Sequence, residues 1–352
     1  NIVNYQILIA TKAARIKHLC PDEVCMEFGT RRAHEFDAAI WGTRASIIGG
    51  FDATSNVKAA KLFNIPCSGT HAHSFVQAYE DEEVAFKKYA AAHKDCYFLV
   101  DTYDTLRSGI PTAIKVADEL KDKINFHGIR LDSGDIAYLS KEARKMLDEA
   151  GYPNAKIVAS NDLDEDTITH LKQEGACIDA WGVGTKLITA YDNPALGAVY
   201  KLACLENDNG EMIDRLKVSE NPAKLTVPGV KRVYRIINTE TGMAAGDYIA
   251  LEKEDVNAEQ SIKLFHPTHT YLAKEVENFK AIDIHEDIFV NGKQVYEVPT
   301  VHESAKYFQQ NKGLLWNEYL RLLNPEFYPV DLSTKCWENR KEILERVTKK
   351  SK

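Results

Sequence analysis

The chain has 352 residues, 44% hydrophobic and 27% charged, enough apolar material for a sizeable core and enough length for two domains. A net charge of −8 argues against a nucleic-acid binder, though a local basic pocket still suits a phosphate. No apolar run reaches membrane-span length and the N-terminus lacks a signal-peptide layout, so a water-soluble, cytoplasmic protein is expected.

In chain order, the first element is a helix at Val3–Leu19. Short apolar runs then end repeatedly in small, polar or charged residues: Val24–Phe28, Ile47–Ile48, Ile65–Cys67, Tyr97–Val100, Phe126–Leu131, Ile157–Ala159 and Ile178–Trp181. Between most of them lie amphipathic stretches, such as Thr112–Lys121 and Ile136–Ala150, the latter stopped by Gly151 and Pro153. Strand, polar loop and helix in repetition predict a parallel sheet closing on itself, an irregular TIM-like α/β barrel over 23–196 behind a leading helix in 1–22. In such a barrel the loops after the strands share one mouth, where chemistry is done.

After residue 197 the pattern changes to a second, β-rich α+β module over 197–352. Hairpins are expected for Val199–Leu202 with Met212–Val218 around Asn209-Gly210, for Arg232–Ile237 with Tyr248–Leu251 around Thr241-Gly242, and for Ile288–Val290 with Gln294–Val298 around Asn291-Gly292. Helices are expected at Ser304–Leu323 and Thr334–Thr348, the second capped by Ser333, before a disordered tail at Lys349–Lys352. The cysteines number seven, with irregular spacing, and read as free thiols in a reducing compartment; Cys20 and Cys25 lack a second pair to complete a zinc site.

The polar loops carry the chemistry. His71 and His73 follow a Gly-Thr turn at the start of a helix, a place for a base, a phosphate-accepting nucleophile or a satisfied helix-start imidazole. Alternation puts Arg130 and Asp132 on one strand face, suited to a carboxylate or phosphate and to sugar hydroxyls, or to a mutual ion pair. Asp135 suits a helix cap. Gly182, Gly184 and Thr185 allow close backbone approach to a phosphate. Arg31 and Arg32 are adjacent, so both face one group only if the chain turns there. Asp101 and Asp104 suit either a carboxylate that orients His73 or a helix cap. A P-loop is excluded.

The segments MEFGTRRAHEFDAA (26–39), GGFDATSNV (49–57), GTHAHSF (69–75), DTYDTLRSG (101–109), IRLDSGD (129–135), ASND (159–162) and WGVGTKL (181–187) resemble nicotinate phosphoribosyltransferases in sequence and in order, as do 193–202 and 329–337. The resemblance implies a barrel beside a second domain. It also implies a reaction that joins nicotinate to 5-phosphoribosyl 1-diphosphate with Mg²⁺, and ATP hydrolysis through a phosphohistidine in NAD salvage. It places that histidine at His73 and its orienting carboxylate at Asp101. Thr70 and Arg130 fall on nicotinate contacts, Asp132 on a ribose-hydroxyl acceptor, and Gly182, Gly184 and Thr185 on the 5-phosphate cradle. Arg31 falls on an anion-binding arginine and Asp52 on a substrate-side acid of nicotinamide-using relatives. The resemblance further implies a homodimer with its site at the interface, no membrane or nucleic-acid partner, and an aromatic, basic N-terminal segment that supplies a tyrosine to the pyridine and has no counterpart before Asn1. The alternatives are a nicotinamide- or quinolinate-using enzyme, a barrel phosphosugar isomerase or aldolase working through Lys186 or Glu27, and a chain that keeps the fold without the activity.

Overall fold

The computed structural model describes residues 2–219, 225–269 and 271–350. It divides into two compact units, Asn1–Gly197 with Pro299–Gln309, and Ala198–Val298 with Gln310–Lys352. The leading helix is thus part of the first unit, and a short later segment joins it. Among the described residues no helix is long and apolar enough to cross a membrane.

The first unit runs α1 (Ile2–Leu19), β1 (Val24–Glu27), α2 (Phe36–Ile48), β2 (Ala53–Thr54), α3 (Val57–Phe63), α4 (His73–Gln77), α5 (Glu82–Ala92) and β3 (Asp95–Leu99). It continues with α6 (Ile110–Leu120), β4 (Asn125–Leu131), α7 (Ile136–Glu149), β5 (Lys156–Ser160), α8 (Glu165–Gln173), β6 (Ala180–Val183) and α9 (Thr185–Ile188). The six strands form one parallel sheet in the order β2-β1-β6-β5-β4-β3. It is a half-barrel, with β2 and β3 at its edges and not paired to each other.

Three of the expected strands are corrected. Ile47–Ile48 is the last turn of α2, whose buried Ala39, Ile40, Thr43 and Ile47 follow helical spacing. The strand comes later, at Ala53–Thr54. Ile65–Cys67 makes a single bridge, Cys67 to Thr54. Pro66 has no N–H to extend a ladder. The strand expected at Ile178–Trp181 lies two residues further on.

The outer face of the sheet packs on the helices through fully buried Phe98, Ile129, Leu131, Ile157 and Trp181. Each contributes roughly 1.5–3 kcal/mol by burial. The inner face carries Met26, Ala53, Val158 and Ala180 with Phe28 and Tyr97. On β4 the side-chain parity changes. Cys96 pairs with Phe126, but Tyr97 pairs with Gly128, so His127 is an extra residue. Phe126 packs on the outer core; past the bulge the outward positions are Ile129 and Leu131, and Arg130 faces inward. Gly128 makes this possible. Its φ is +149°, and a β-carbon there would lie 1.9 Å from the Lys156 carbonyl oxygen.

His71 belongs to the outer core. Its ring lies among Phe75, Phe86, Tyr89 and Phe98, and its Nε2 accepts from the Leu99 N–H at 3.2 Å. Burial, aided by the nearby Arg130 charge, pushes its pKa down to about 4.

The second unit holds a six-stranded sheet centred on the hairpin Lys231–Asn238 and Ala244–Leu251, which turns at Thr241-Gly242. Val330–Leu332 runs parallel to Ala244–Leu251. Ser333 caps the helix Thr334–Lys350 through the Cys336 N–H at 2.9 Å. That helix takes in Lys349, where the tail was expected; Ser351 and Lys352 lie outside the described residues. Val199–Leu202 is not a strand, and Cys204–Glu206 pairs with Met212–Asp214 instead. The expected helix Ser304–Leu323 is broken into Val301–Lys312 and Asn317–Leu320, with Gly313 in the gap.

Gly128→Ala is expected to cost about 2–4 kcal/mol of stability, since it strains the backbone and meets a carbonyl; urea unfolding measures this. For His71, the unfolded ring takes a proton near pH 6.5 and the folded ring resists to about pH 4. The unfolded state therefore binds more protons in that window. The contribution is whole above pH 6.5 and is lost as pH falls through the window, on the order of 3 kcal/mol. Unfolding midpoints measured from pH 7 to 4 should flatten in His71→Phe.

Candidate active site

A cavity of about 340 Å³ opens at the C-terminal ends of the strands. Arg31, Arg32, Thr70, His73, Arg130, Asp132, Gly182, Gly184 and Thr185 all line it. The half-barrel thus gathers residues that span more than 150 positions of sequence.

Each is placed by a local cause. Past β1 the chain makes a 3-10 turn, Thr30–Arg32, closed by the Arg32 N–H on the Gly29 carbonyl at 2.8 Å. The turn lets both adjacent arginines line one cavity. No ion pair holds either among the described residues. Gly182 lies where a β-carbon would stand 2.6 Å from the Phe28 ring. It therefore lets Phe28 lie against β6.

Arg130 is tied on three sides. Its Nε donates to Ser160 Oγ at 2.9 Å, one terminal nitrogen to Thr70 Oγ1 at 2.9 Å, and the other to Asp132 Oδ1 at 2.8 Å. The ion pair between Arg130 and Asp132 is therefore real, and both still line the cavity. N–H donors remain on both terminal nitrogens, and Oδ2 remains on Asp132. The guanidinium carbon is 5.5 Å from the Phe28 ring centroid, within cation–π range.

The His73 Nε2–H donates to Asp101 Oδ1 at 3.0 Å. The histidine side chain is 36% exposed and the aspartate side chain 2% exposed. Asp101 Oδ2 accepts from the Asp132 N–H at 3.0 Å and from Ser133 Oγ at 2.5 Å. A carboxylate held by this many donors fixes the imidazole tautomer, with Nδ1 as the nitrogen left for another partner. Asp104 is the helix cap, through the Arg107 N–H at 2.9 Å, and Asp135 caps α7 through the Tyr138 N–H at 2.9 Å. His71 stays in the core.

Asp52 stands apart from the other residues named from the sequence. It precedes β2, does not line the cavity, and its Oδ2 accepts from Lys17 Nζ at 3.0 Å and the Cys25 N–H at 2.8 Å. The shift of the second strand from 47–48 to 53–54 explains it: the loop that reaches the mouth starts at Ser55, which does line the cavity. Sequence periodicity carried no signal for Ser55. Phe28 was also missed, because it reads as the last apolar residue of a strand. Asn161 and Asp162 line the cavity with φ of 91° and 42°, and Ser160 Oγ bridges Arg130 and Asp132.

Two residues of the alternative readings are accounted for. Lys186 does not line the cavity; its ammonium pairs with Asp164, which raises its pKa and keeps it a cation rather than a free amine. Glu27 is wholly buried beneath the mouth. Among the described residues no group of three or more His, Cys, Asp or Glu side chains is arranged to hold a metal ion, and all seven cysteines are free.

The sequence model described as the nicotinate phosphoribosyltransferase (NAPRTase) family matches residues 24–218, and the one described as the nicotinate phosphoribosyltransferase C-terminal domain matches 230–340. The nicotinate phosphoribosyltransferase of Bacillus subtilis (strain 168) is 64% identical over 347 residues, 99% of this chain and 71% of the relative. That of Homo sapiens is 30% identical over 94% of this chain and 71% of the relative. The crystal structure of human nicotinic acid phosphoribosyltransferase superposes with a TM-score of 0.80 at 26% identity, over 97% of this chain and 74% of that one. With both units matched in order, the chain belongs to the nicotinate phosphoribosyltransferase family.

Proposed function

We propose that this protein transfers the phosphoribosyl group of 5-phosphoribosyl 1-diphosphate to nicotinate, with ATP hydrolysis coupled through phosphorylation of His73. The observation that carries the reading is a single cavity holding a carboxylate-oriented imidazole, a guanidinium with spare donors and two arginines outside any ion pair. The relatives named above are nicotinate phosphoribosyltransferases.

In this reading the spare Arg130 donors take the nicotinate carboxylate, Thr70 steadies the guanidinium, and the pyridine ring lies on Phe28. Asp132 Oδ2 accepts a ribose hydroxyl. Gly182, Gly184 and Thr185 cradle the 5-phosphate, while Arg31 and Arg32 face the diphosphate. The pyridine nitrogen forms a bond to C1 as the C1–O bond to diphosphate breaks, through an oxocarbenium-like state. The protein aligns the two ends and neutralises the leaving group.

His73 attacks the γ-phosphorus of ATP through Nδ1, and ADP leaves. The proton on Nε2 stays shared with Asp101, whose carboxylate offsets the positive ring. Water later cleaves the N–P bond. Among the described residues no three carboxylate, imidazole or thiol groups converge on a metal position, and Mg²⁺ would enter on the diphosphate and ATP phosphates, whose charge it would help neutralise. We read the half-barrel as the greater part of a TIM-like barrel, the protein as a cytoplasmic homodimer, and its product as serving NAD salvage.

The test is incubation with nicotinate, 5-phosphoribosyl 1-diphosphate and Mg²⁺, with and without ATP, and with nicotinamide or quinolinate in competition. Nicotinate mononucleotide should form, more of it with ATP, and nicotinate should be the preferred pyridine. His73→Ala should abolish both the ATP stimulation and acid-labile label from ATP, with His71→Phe retaining the label; label persisting on His73→Ala overturns the assignment. Arg130→Ala should raise the nicotinate KM by about 100-fold, the cost of a lost charged contact of ~3 kcal/mol. Its ATP affinity should change little, and equal losses for both ligands would make Arg130 a structural residue.

A further inference from the structure

Glu27 lies at the end of β1 with no exposed surface. Among the described residues no Lys, Arg or His pairs with it. Its Oε1 accepts from the Gly29 N–H, and its Oε2 faces Thr54 Oγ1 at 2.7 Å and Thr43 Oγ1 at 2.9 Å. Its backbone carbonyl accepts from the Ser55 N–H at 3.0 Å. One residue therefore holds the turn that carries Arg31 and Arg32, the end of β2 with cavity-lining Ser55, and α2. Gly29 in turn lies against Ile188 and the Gly184 carbonyl, so the first loop rests on the last.

A protonated carboxyl fits the hydroxyls around it. Thr54 Oγ1 already accepts from the Asn56 N–H at 2.9 Å, so its hydrogen goes to Glu27. Thr43 has one hydrogen and faces two acceptors at 2.9 Å, Glu27 Oε2 and the Ala39 carbonyl. A proton on Oε2, donated to Thr43 Oγ1 while Thr43 donates to Ala39, satisfies every group. From the packed elements the titratable neighbour is Tyr5 of α1, a phenol that donates to backbone carbonyls. Burial without a cation acts in the same direction, pushing the Glu27 carboxyl above its usual range.

We propose that Glu27 is a positioning residue that works as a neutral carboxylic acid, setting the anion-binding turn of Arg31 and Arg32 against loop two and the glycine loop after β6. This rests on the functional reading above only in naming the anion as a diphosphate.

Inorganic diphosphate is the probe, with binding followed by calorimetry on the wild-type chain, Glu27→Gln and Glu27→Asp. Glu27→Gln keeps the length, the acceptor for the Gly29 N–H and a donor toward Thr43, losing only the acceptor that faces Thr54 Oγ1, and should bind within about threefold of wild type. Glu27→Asp keeps the acid but retracts it, releases Gly29, and should bind about tenfold more weakly, the loss of one positioned contact. Infrared spectra should show a protonated-carboxyl band at pH 7 that Glu27→Gln removes. Wild-type affinity in Glu27→Asp overturns the positioning role. Loss in Glu27→Gln as large as in Glu27→Asp, or no such band, overturns the neutral acid, and the band decides this if Glu27→Asp does not fold. In turnover, Glu27→Asp should raise the KM for 5-phosphoribosyl 1-diphosphate and leave that for nicotinate within about threefold. Absence of nicotinate mononucleotide with the wild type would defeat the functional reading and leave the binding and infrared results standing.

Discussion

A guanidinium carried on the inner face of a parallel sheet needs partners, because an unpaired charge there costs several kcal/mol. Arg130 finds them on three different segments: Thr70 between α3 and α4, Ser160 at the end of β5 and Asp132 just past the end of its own strand. Satisfying one charge therefore fixes the relative position of three loops at the mouth. Asp132 then passes the constraint on, since its N–H binds Asp101, and Asp101 holds His73. The site is built before any ligand arrives, and little ordering cost is left for binding.

Arg130 reaches that face through a defect in its strand. Regular alternation from Phe126 would send Arg130 outward with the helix-facing residues. The extra residue at His127, allowed by Gly128, reverses the parity. The bulge decides which side chain of β4 reaches the cavity. Nothing in the hydrophobic pattern of residues 125–131 announces it. The pairing of Arg130 with Asp132 on one face was legible because both lie beyond the bulge.

The same distinction explains what else was legible. β1, β3, β4 and β5 showed as apolar runs because each is buried on the helix side. Ile47–Ile48 gave the same short-run signal from inside a helix, and periodicity over two residues does not separate the cases. That one misplacement left Ser55 out of the expected mouth. His71 and His73 are equivalent in sequence two residues apart. They differ only in what packs around them, four aromatic rings in one case and a carboxylate in the other. Most of the loops named by a motif came out at the cavity, the one after β3 reaching it only through the bond of Asp101 to His73; for Glu27, which underlies two of them, the sequence suggested a base and not a buried support.

The link from His73 to Asp132 bears on how phosphorylation and substrate binding influence one another. Asp101 touches both: Oδ1 takes the imidazole and Oδ2 takes the Asp132 backbone and Ser133. In the proposed cycle a phosphoryl group on His73 would make the ring a cation and strengthen its bond to Oδ1 of the carboxylate that also holds the Asp132 N–H. In the proposed reaction Asp132 holds the ribose. Coupling of this kind is reciprocal: whatever factor phosphorylation adds to donor affinity, the bound donor must return to the stability of the phosphorylated histidine. ATP would then be spent on a more favourable binding state instead of on the bond-making step, which needs only alignment and charge. A carboxylate one hydrogen bond from the imidazole and one from the Asp132 backbone is the link the fold offers for that exchange.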